Sequence, residues 1–192
     1  MKIVLASSNK HKVQEINDIV SAQGLALEFI LPPEDFDPDE NGETFKENSY
    51  IKAYDAWKLC HNWVLADDSG LCIDALNGKP GIYSARYAET PEKRIERVLK
   101  ELNGIKNREA HFTCAMTLLN PSGEVAFAVQ GICEGNIINE PKGLNGFGYD
   151  PIFLLKNCTK TMAELSETEK NQVSHRSVAL NRVLEYIKEN LL

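Results

Sequence analysis

Two neighbouring aspartates, Asp67 and Asp68, directly follow the apolar residues 64–66 and precede Ser69 and Gly70. The apolar run predicts a buried strand. Two carboxylates at its end would repel each other and resist desolvation unless a cation, a proton or water offsets their charge. One interpretation is a solvated Asp-Ser-Gly turn between two strands. The other is a metal-binding catalytic site to which polar residues from elsewhere in the chain contribute.

A second polar stretch, residues 7–12, follows the apolar residues 3–6 and precedes a helical pattern that ends at Gly24. In the order strand, polar loop and helix, free backbone N–H groups and the helix dipole face an anion. Side-chain donors come from Ser7, Ser8, Asn9 and Lys12. The glycines and the Gly-Lys-Ser/Thr ending of a Walker A loop are absent. The loop therefore predicts a phosphate site or, alternatively, a helix that Ser8 or Asn9 simply caps.

An acidic segment, residues 34–43, contains Glu40 and leads into Thr44-x-x-Glu47, the pattern of a capping box that begins a helix. The helix carries Lys52. Its apolar side is predicted to contain Phe45, Ile51, Tyr54 and Trp57. Acidic loops are usually solvated and helical lysines usually exposed, so Glu40 and Lys52 have a functional role only if other polar residues converge on them.

The C-terminal third contains a glycine-rich loop and a basic pair. Residues 143–151 surround Phe147 and run into an apolar strand, so the glycines do not follow the dinucleotide-binding pattern. Phe147 is expected either to meet a flat ligand or to be tucked into the core. Further on, Ser174 is predicted to cap the last helix, with His175 and Arg176 in its first turn. Basic residues there oppose the helix dipole, which points to function, although a solvated basic pair is the commoner case.

The composition excludes several classes of protein. The 192 residues carry a formal net charge of -7, which argues against nucleic acid as the main partner because phosphate backbones are bound by a basic face. Five scattered cysteines without a Cys-x-x-Cys pair disfavour zinc or redox sites and suit reduced core thiols. No apolar stretch approaches the ~20 residues of a membrane span, and the apolar N-terminus is too short for a signal peptide. A cytoplasmic protein without a membrane partner is expected.

Taken in order, the polar motifs resemble those of the inosine triphosphate pyrophosphatase family, whose members hydrolyse non-standard purine nucleoside triphosphates. The motifs are Ser-Ser-Asn-x-x-Lys, Glu-Asn-Gly-x-Thr-Phe-x-Glu-Asn, Ala-Asp-Asp-Ser-Gly-Leu, Pro-Gly-Ile-Tyr-Ser-Ala-Arg-Tyr, Gly-Phe-Gly-Tyr-Asp-Pro-Ile-Phe and Ser-His-Arg. The resemblance extends over residues 3–184. One departure is Ser8, which stands where many members have glycine and lacks glycine's freedom to take positive φ.

The resemblance implies an α/β fold with a central mixed β-sheet flanked by helices. It further implies one elongated, two-lobed domain over residues 1–192, with the active-site cleft between the lobes, and a homodimer. The implied reaction is the hydrolysis of ITP, dITP or XTP to the monophosphate and pyrophosphate with Mg²⁺, for which Mn²⁺ is a plausible substitute.

The same resemblance implies a role for each matching position. The triphosphate is assigned to Ser7, Asn9, Lys12 and Lys52, and Ser8, Lys10 and His11 are assigned to substrate binding. Mg²⁺ is assigned to Glu40 and Asp68, and Asp68 also accepts the proton of the attacking water. Ser69 contacts the substrate. Phe147 stacks on the base with Gly148 and Tyr149 beside it, and the base edge and nucleotide pocket are assigned to Asp150, Lys170, His175 and Arg176.

These roles are chemically coherent. A divalent metal held by carboxylates screens the phosphate charge that repels water, while lysines supply fixed positive charge. Donors from His175 or Arg176 suit the 6-keto group of hypoxanthine or xanthine and not the amino group of adenine. Three rivals remain: a pyrophosphatase for pyrimidine or modified nucleotides, a nucleotide sensor without catalysis, and a phosphatase of another fold that uses Asp67 as a covalent nucleophile.

Overall fold

The computed structural model describes residues 1–8 and 10–192, with the side chains of Lys10, His11 and Glu15 outside the description. In this part of the chain the strands are β1 Lys2–Leu5, β2 Glu28–Ile30, β3 Val64–Ile73, β4 Glu109–Leu119, β5 Val125–Ile137 and β6 Phe153–Leu155. The α-helices are α1 Lys10–Ala22, α2 Phe45–Cys60, α3 Pro91–Glu101, α4 Glu167–Val173 and α5 His175–Asn190. Short 3-10 helices occupy several of the connections.

The strands form a mixed sheet in the order β2-β1-β3-β4-β5-β6. Strand β1 pairs in parallel with both β2 and β3, whereas β6 is antiparallel to β5. Parallel neighbours require crossover connections, which contain α1 and α2. Strands β4 and β5 are joined by a tight turn in which the Gly123 N–H donates to the Asn120 carbonyl at 2.9 Å. The α/β class and the central mixed sheet are thus confirmed.

The chain divides into two compact units, of which unit 1 comprises residues 1–68, 115–130 and 179–192. Its core brings Ala53 and Ala56 of α2 against the strand residues Val4, Val64, Ala66 and Leu119. The small alanines leave room for the helix to approach the sheet closely. The lobes and the cleft that the family resemblance implies stay predictions.

Helix α2 begins as predicted but buries a different face. The Glu47 N–H donates to Thr44 Oγ1 at 3.1 Å, and the Thr44 N–H donates to the Glu47 carboxylate at 3.1 Å, which completes the capping box. The predicted apolar side was partly wrong, because Tyr54 is 37% exposed. Its ring instead stacks between Tyr50 and Trp57 along the outside of the helix. The buried residues of α2 are Phe45, Asn48, Ser49, Ala53 and Ala56. Lys52, which pairs with Asp68, is partly buried on the same helix.

Unit 2 comprises residues 69–114 and 131–178 and has its own core. Helix α3 begins with Thr90 as N-cap and Pro91 in the first turn, and it buries Val98. The rings of Phe112 and Phe153 pack 4.6 Å apart across this core. Val98 of α3 shares this core with Tyr149 and Phe153, so α3 packs in the same core as the end of the loop that carries Phe147.

Two expectations concern the surface and the thiols. No helix within residues 1–8 and 10–192 is long and apolar enough to cross a bilayer. All five cysteines are free thiols. Cys114 and Cys133 are buried as predicted, whereas Cys158 is exposed.

Candidate functional site

Asp67 and Asp68 lie in the interior of β3 and not at its end. The prediction that the strand stops at residue 66 is therefore wrong, and so is the alternative of a solvated turn. The two residues are only 4% and 8% exposed. Successive side chains of a strand point to opposite faces, which separates the two charges. Because each carboxylate meets its own lysine, the strand can continue to Ile73.

The partners of the two aspartates come from two different helices. The ammonium of Lys12, on α1, forms an ion pair with Asp67. Lys52 Nζ, on α2, lies 2.9 Å from Asp68 Oδ1 and 3.4 Å from Glu40 Oε2. We refer to Lys12, Glu40, Lys52, Asp67 and Asp68 as the carboxylate–lysine cluster. All five residues belong to unit 1, so the convergence predicted for the acidic loop and for Lys52 is present within one unit.

The acidic loop that carries Glu40 is fastened to α2 through Asn48. The Gly42 N–H donates to Asn48 Oδ1 at 2.8 Å. A Cβ at position 42 would lie 2.7 Å from that oxygen, so a side chain does not fit there. Asn48 precedes Lys52 by four residues and therefore shares its helix face. Our sequence interpretation gave Asn48 no role, although this spacing on a capped helix was an available signal.

Burial and charge act against each other in this cluster. Burial raises the pKa of Asp68, and although the charge of Lys52 and its hydrogen bond oppose this effect, the pKa stays above the ordinary value. Burial lowers the pKa of Lys52, but the charges of Asp68, Asp67 and Glu40 outweigh it and the pKa lies above its ordinary value. Lys52 is therefore a firm cation, and Asp68 accepts a proton more readily than an ordinary aspartate.

The cluster borders a pocket of about 300 Å³ lined by Ser7, Ser8, Phe36, Asp37, Pro38, Glu40 and Lys52. Both serines of the predicted phosphate loop, Ser7 and Ser8, thus line the same pocket as Lys52. Asn9 lies outside the described residues, as do the side chains of Lys10 and His11. The pocket combines hydroxyl donors with a buried cation, which suits an anionic ligand.

The oxygen donors of the cluster fit a hard cation. Asp68 Oδ2 is buried and, within the described part of the chain, has no hydrogen-bond partner. The described residues contain no group of three or more His, Cys, Asp and Glu that could hold a metal ion. Mg²⁺ usually binds through one or two carboxylates and completes its shell with waters and substrate phosphates, so Glu40 and Asp68 are sufficient protein ligands.

In unit 2, the Phe147 ring is 62% exposed, so the alternative of a ring tucked into the core is wrong. Lys170 Nζ lies 4.4 Å and Arg176 Cζ 5.7 Å from the ring centroid. Asp150 accepts hydrogen bonds from the Phe147 N–H at 2.9 Å and from Lys170 Nζ at 2.6 Å. We refer to Phe147, Asp150, Lys170 and Arg176 as the aromatic–cation cluster.

The other predicted residues of unit 2 make internal contacts. The Tyr149 hydroxyl is buried and donates to the Ser84 carbonyl at 2.9 Å. The His175 ring stacks on Phe112 at 4.8 Å. Gly148 has positive φ in the loop, and Ser69 is half-buried on β3. Direct contacts of these four residues with a substrate stay predictions.

Ser174 caps α5 as predicted, because the Ser177 N–H donates to Ser174 Oγ at 3.1 Å. This cap places His175 and Arg176 in the first helical turn, against the helix dipole. The guanidinium of Arg176 lies beside the Phe147 ring, so the basic pair has a local partner and the prediction of a lone solvated pair is wrong.

The protein has an α/β fold in which unit 1 carries a cluster suited to an anion and unit 2 carries an exposed aromatic residue beside two cations. The chain belongs to the Ham1 family, because the sequence model of that family matches residues 3–186. It is 45% identical over 183 residues to the dITP/XTP pyrophosphatase of Prochlorococcus marinus subsp. pastoris, covering 95% of each chain. It is 47% identical over 186 residues to that of Halalkalibacterium halodurans, covering 94% of this chain and 95% of the relative.

A solved structure agrees with the fold. The HAM1 protein from Coxiella burnetii is 42% identical and superposes with a TM-score of 0.92, covering 98% of this chain and 99% of that one. The family predicted from the sequence motifs is confirmed by these similarities.

Proposed function

We propose that this protein hydrolyses non-standard purine nucleoside triphosphates, namely ITP, dITP and XTP, to the monophosphate and pyrophosphate. The names of its relatives support this reaction. The observation that carries the proposal is the buried Asp68, held 2.9 Å from Lys52 in a cluster with a second carboxylate, Glu40. A buried acid–lysine cluster is costly to maintain and is found where charge has a chemical use.

The carboxylate–lysine cluster handles the triphosphate. Lys12 and Lys52 supply fixed positive charge, and Ser7 and Ser8, which line the same pocket as Lys52, offer hydroxyl donors to a phosphate. Asn9, Lys10, His11 and Ser69 are assigned to the substrate by the family resemblance. Asp68 orients and deprotonates the attacking water, a role usually worth ~10²–10⁴-fold in rate. Its raised pKa makes it a better proton acceptor than an ordinary aspartate.

Glu40 and Asp68 are the residues that would hold Mg²⁺, with Mn²⁺ as a substitute. When bound, the cation neutralises phosphate charge that would otherwise repel the attacking water. Asp68 Oδ2 is buried and has no hydrogen-bond partner among the residues that the structure describes. A buried carboxylate oxygen needs a partner, which supports this assignment.

The aromatic–cation cluster binds the base. The exposed Phe147 residue offers a stacking surface with Lys170 and Arg176 beside it, and donors from His175 or Arg176 would suit a 6-keto oxygen. The amino group of adenine would leave such donors unpaired. Sites built on hydrogen bonds of this kind discriminate by ~10⁴ or more. Gly148, Tyr149, Asp150 and His175 complete the predicted pocket.

Two further properties follow from the family resemblance and are proposed with it. The protein is a homodimer and acts in the cytoplasm on the nucleotide pool. Free thiols at all five cysteines suit a reducing compartment.

The test is to incubate the protein with Mg²⁺ and ITP, XTP, dITP or each ordinary nucleoside triphosphate and to identify the phosphate released. We expect pyrophosphate from ITP, XTP and dITP, and much slower turnover of ATP. Release of orthophosphate would instead indicate a phosphatase that uses Asp67. Binding of ITP without turnover would indicate a sensor, and a preference for pyrimidines would indicate the related class of pyrophosphatase.

A further inference from the structure

The carboxylate of Asp150 is the centre of the aromatic–cation cluster. Asp150 is 3% exposed, and its Oδ2 accepts both the Phe147 N–H at 2.9 Å and Lys170 Nζ at 2.6 Å. The Asp150 N–H in turn donates to the Phe147 carbonyl at 3.2 Å. Two reciprocal hydrogen bonds therefore close the backbone of the loop around the residue that carries the stacking ring.

The loop is shaped to fit this carboxylate. A Cβ at Gly146 would lie 2.2 Å from Asp150 Oδ2, and the φ of Gly146 is +78°. Glycine thus meets two demands at this position, because it allows both the positive φ and the close approach of the backbone. The orientation of the Phe147 backbone consequently depends on where Asp150 lies.

Asp150 also fixes the cation beside the ring. The lysine ammonium is a compact charge on a flexible stem, so its position depends on its partners. The Lys170 side chain is only 17% exposed, and its Nζ contacts Asp150 on one side and lies 4.4 Å from the Phe147 ring centroid on the other. Helix α4, which presents Lys170, has a complete capping box from Ser166 and Glu169. Phe147, Lys170 and Asp150 therefore each contact the other two.

We propose that Asp150 is a positioning residue that aligns the Phe147 ring and the Lys170 ammonium and does not itself read the base. This inference rests on the proposed function. It departs from the role that the family resemblance implies for Asp150, because Asp150 is only 3% exposed and its Oδ2 already accepts from two internal donors, whereas Phe147 is 62% exposed.

The two roles predict different effects of Asp150→Asn. A carboxylate that reads the base edge accepts the N1 proton of hypoxanthine, which adenine lacks. Its replacement by an amide would therefore penalise ITP and spare or favour ATP. A positioning residue acts through the ring and Lys170, which every purine meets. Its replacement would then weaken all purine nucleotides by the same factor.

The experiment compares wild type, Asp150→Asn and the control Glu134→Gln, which removes an exposed carboxylate from its ion pair with Lys156. KM and kcat are measured for ITP, XTP and ATP. We expect KM to rise roughly tenfold for all three nucleotides in Asp150→Asn, since part of the base stacking is lost, with kcat changed by less than about twofold. The control is expected to match wild type. A loss confined to ITP and XTP, or an unchanged KM, would overturn the proposal.

Hydrogen exchange across residues 143–151 gives a second readout that does not depend on activity. Because the Phe147 N–H loses a charged acceptor, its exchange is expected to be faster in Asp150→Asn than in wild type or the control. Unchanged exchange would overturn the proposal. Failure of wild type to release pyrophosphate from ITP would count against the proposed function alone, because the exchange comparison would still decide the role of Asp150.

Discussion

The two clusters use the same ionic pair for opposite purposes. In unit 1, Lys52 and Asp68 have side chains that are 12% and 10% exposed, and both project from regular elements, a helix and a strand. In unit 2, Lys170 and Asp150 are similarly buried at 17% and 5%, but the group that they hold is an exposed phenyl ring on a glycine-rich loop. In the proposed function, the first pair acts on the ligand through its own charges, whereas the second pair holds the Phe147 ring that contacts the ligand.

This difference separates chemistry from recognition. Reacting groups require exact placement, and side chains on strands and helices are held more firmly than those on loops. A stacking platform tolerates a loop, provided that something fixes the loop, and Asp150 does so here through the Phe147 N–H. Damage to the first cluster should therefore affect turnover, whereas damage to the second should affect binding of the base.

The largest expected effect is that of Asp68→Asn. An amide of the same shape accepts no proton from water, so kcat for ITP should fall by ~10²–10⁴-fold while the protein stays folded. Pyrophosphate release measures the effect. The control is Asp55→Asn, which removes a surface carboxylate paired with Lys58. Near-normal turnover in Asp68→Asn would contradict the role of the first cluster.

Next in size is Phe147→Ala, which removes the stacking surface of the second cluster. Stacking of a base on an aromatic ring is worth ~1–3 kcal/mol, so KM for ITP should rise roughly 5–150-fold with a smaller change in kcat. Leu144→Ala is the matched control, because Leu144 lies in the same loop and is fully exposed. If steady-state kinetics showed a fall in kcat with KM unchanged, the assignment of the second cluster to binding would be contradicted.

A smaller effect is expected on the pH dependence of Lys52→Met. The charge of Lys52 opposes the rise in the Asp68 pKa, so its removal should raise that pKa further. Because Asp68 is inactive as a proton acceptor when protonated, the acidic limb of the kcat/KM profile should move to higher pH. Lys58→Met, on the same helix but exposed, should leave the limb in place. An unmoved limb in Lys52→Met would show that the pair does not control Asp68.

The smallest effect concerns the helix that presents Lys170. The backbone N–H of Ser166, together with the Lys160 ammonium, holds the pKa of Glu169 down at about 2. A lowered pKa contributes stability above the unfolded value of about 4.3, and this contribution is lost as the pH falls through the folded value. Denaturant unfolding of Glu169→Gln should therefore depend less on pH in this acidic window than that of wild type. An identical pH dependence would contradict the assignment, and Glu167→Gln in the same turn serves as the control.

Local features of the fold were predictable from the sequence. The capping box of Thr44 and Glu47, the Thr90 cap and the Asn120–Gly123 turn each depend on residues within four positions of one another. Their physics is complete inside a short window, so a pattern is sufficient to predict them.

The interior of β3 was not predictable in the same way. Whether a strand continues through two aspartates depends on lysines that are 55 and 16 residues away in sequence. No short pattern contains both partners. Phe147 likewise lies beside Lys170, which is 20 residues downstream of the carboxylate that holds it. The roles proposed for these residues came from the order of the motifs, while their geometry required the fold.

The most direct test of the separation is equilibrium binding of ITP and ATP to Asp68→Asn, measured by titration calorimetry with Mg²⁺ present. If the first cluster performs the chemistry and the second selects the base, the variant should bind ITP within about threefold of wild type and should still prefer ITP to ATP. Loss of ITP binding together with loss of the preference would contradict the account.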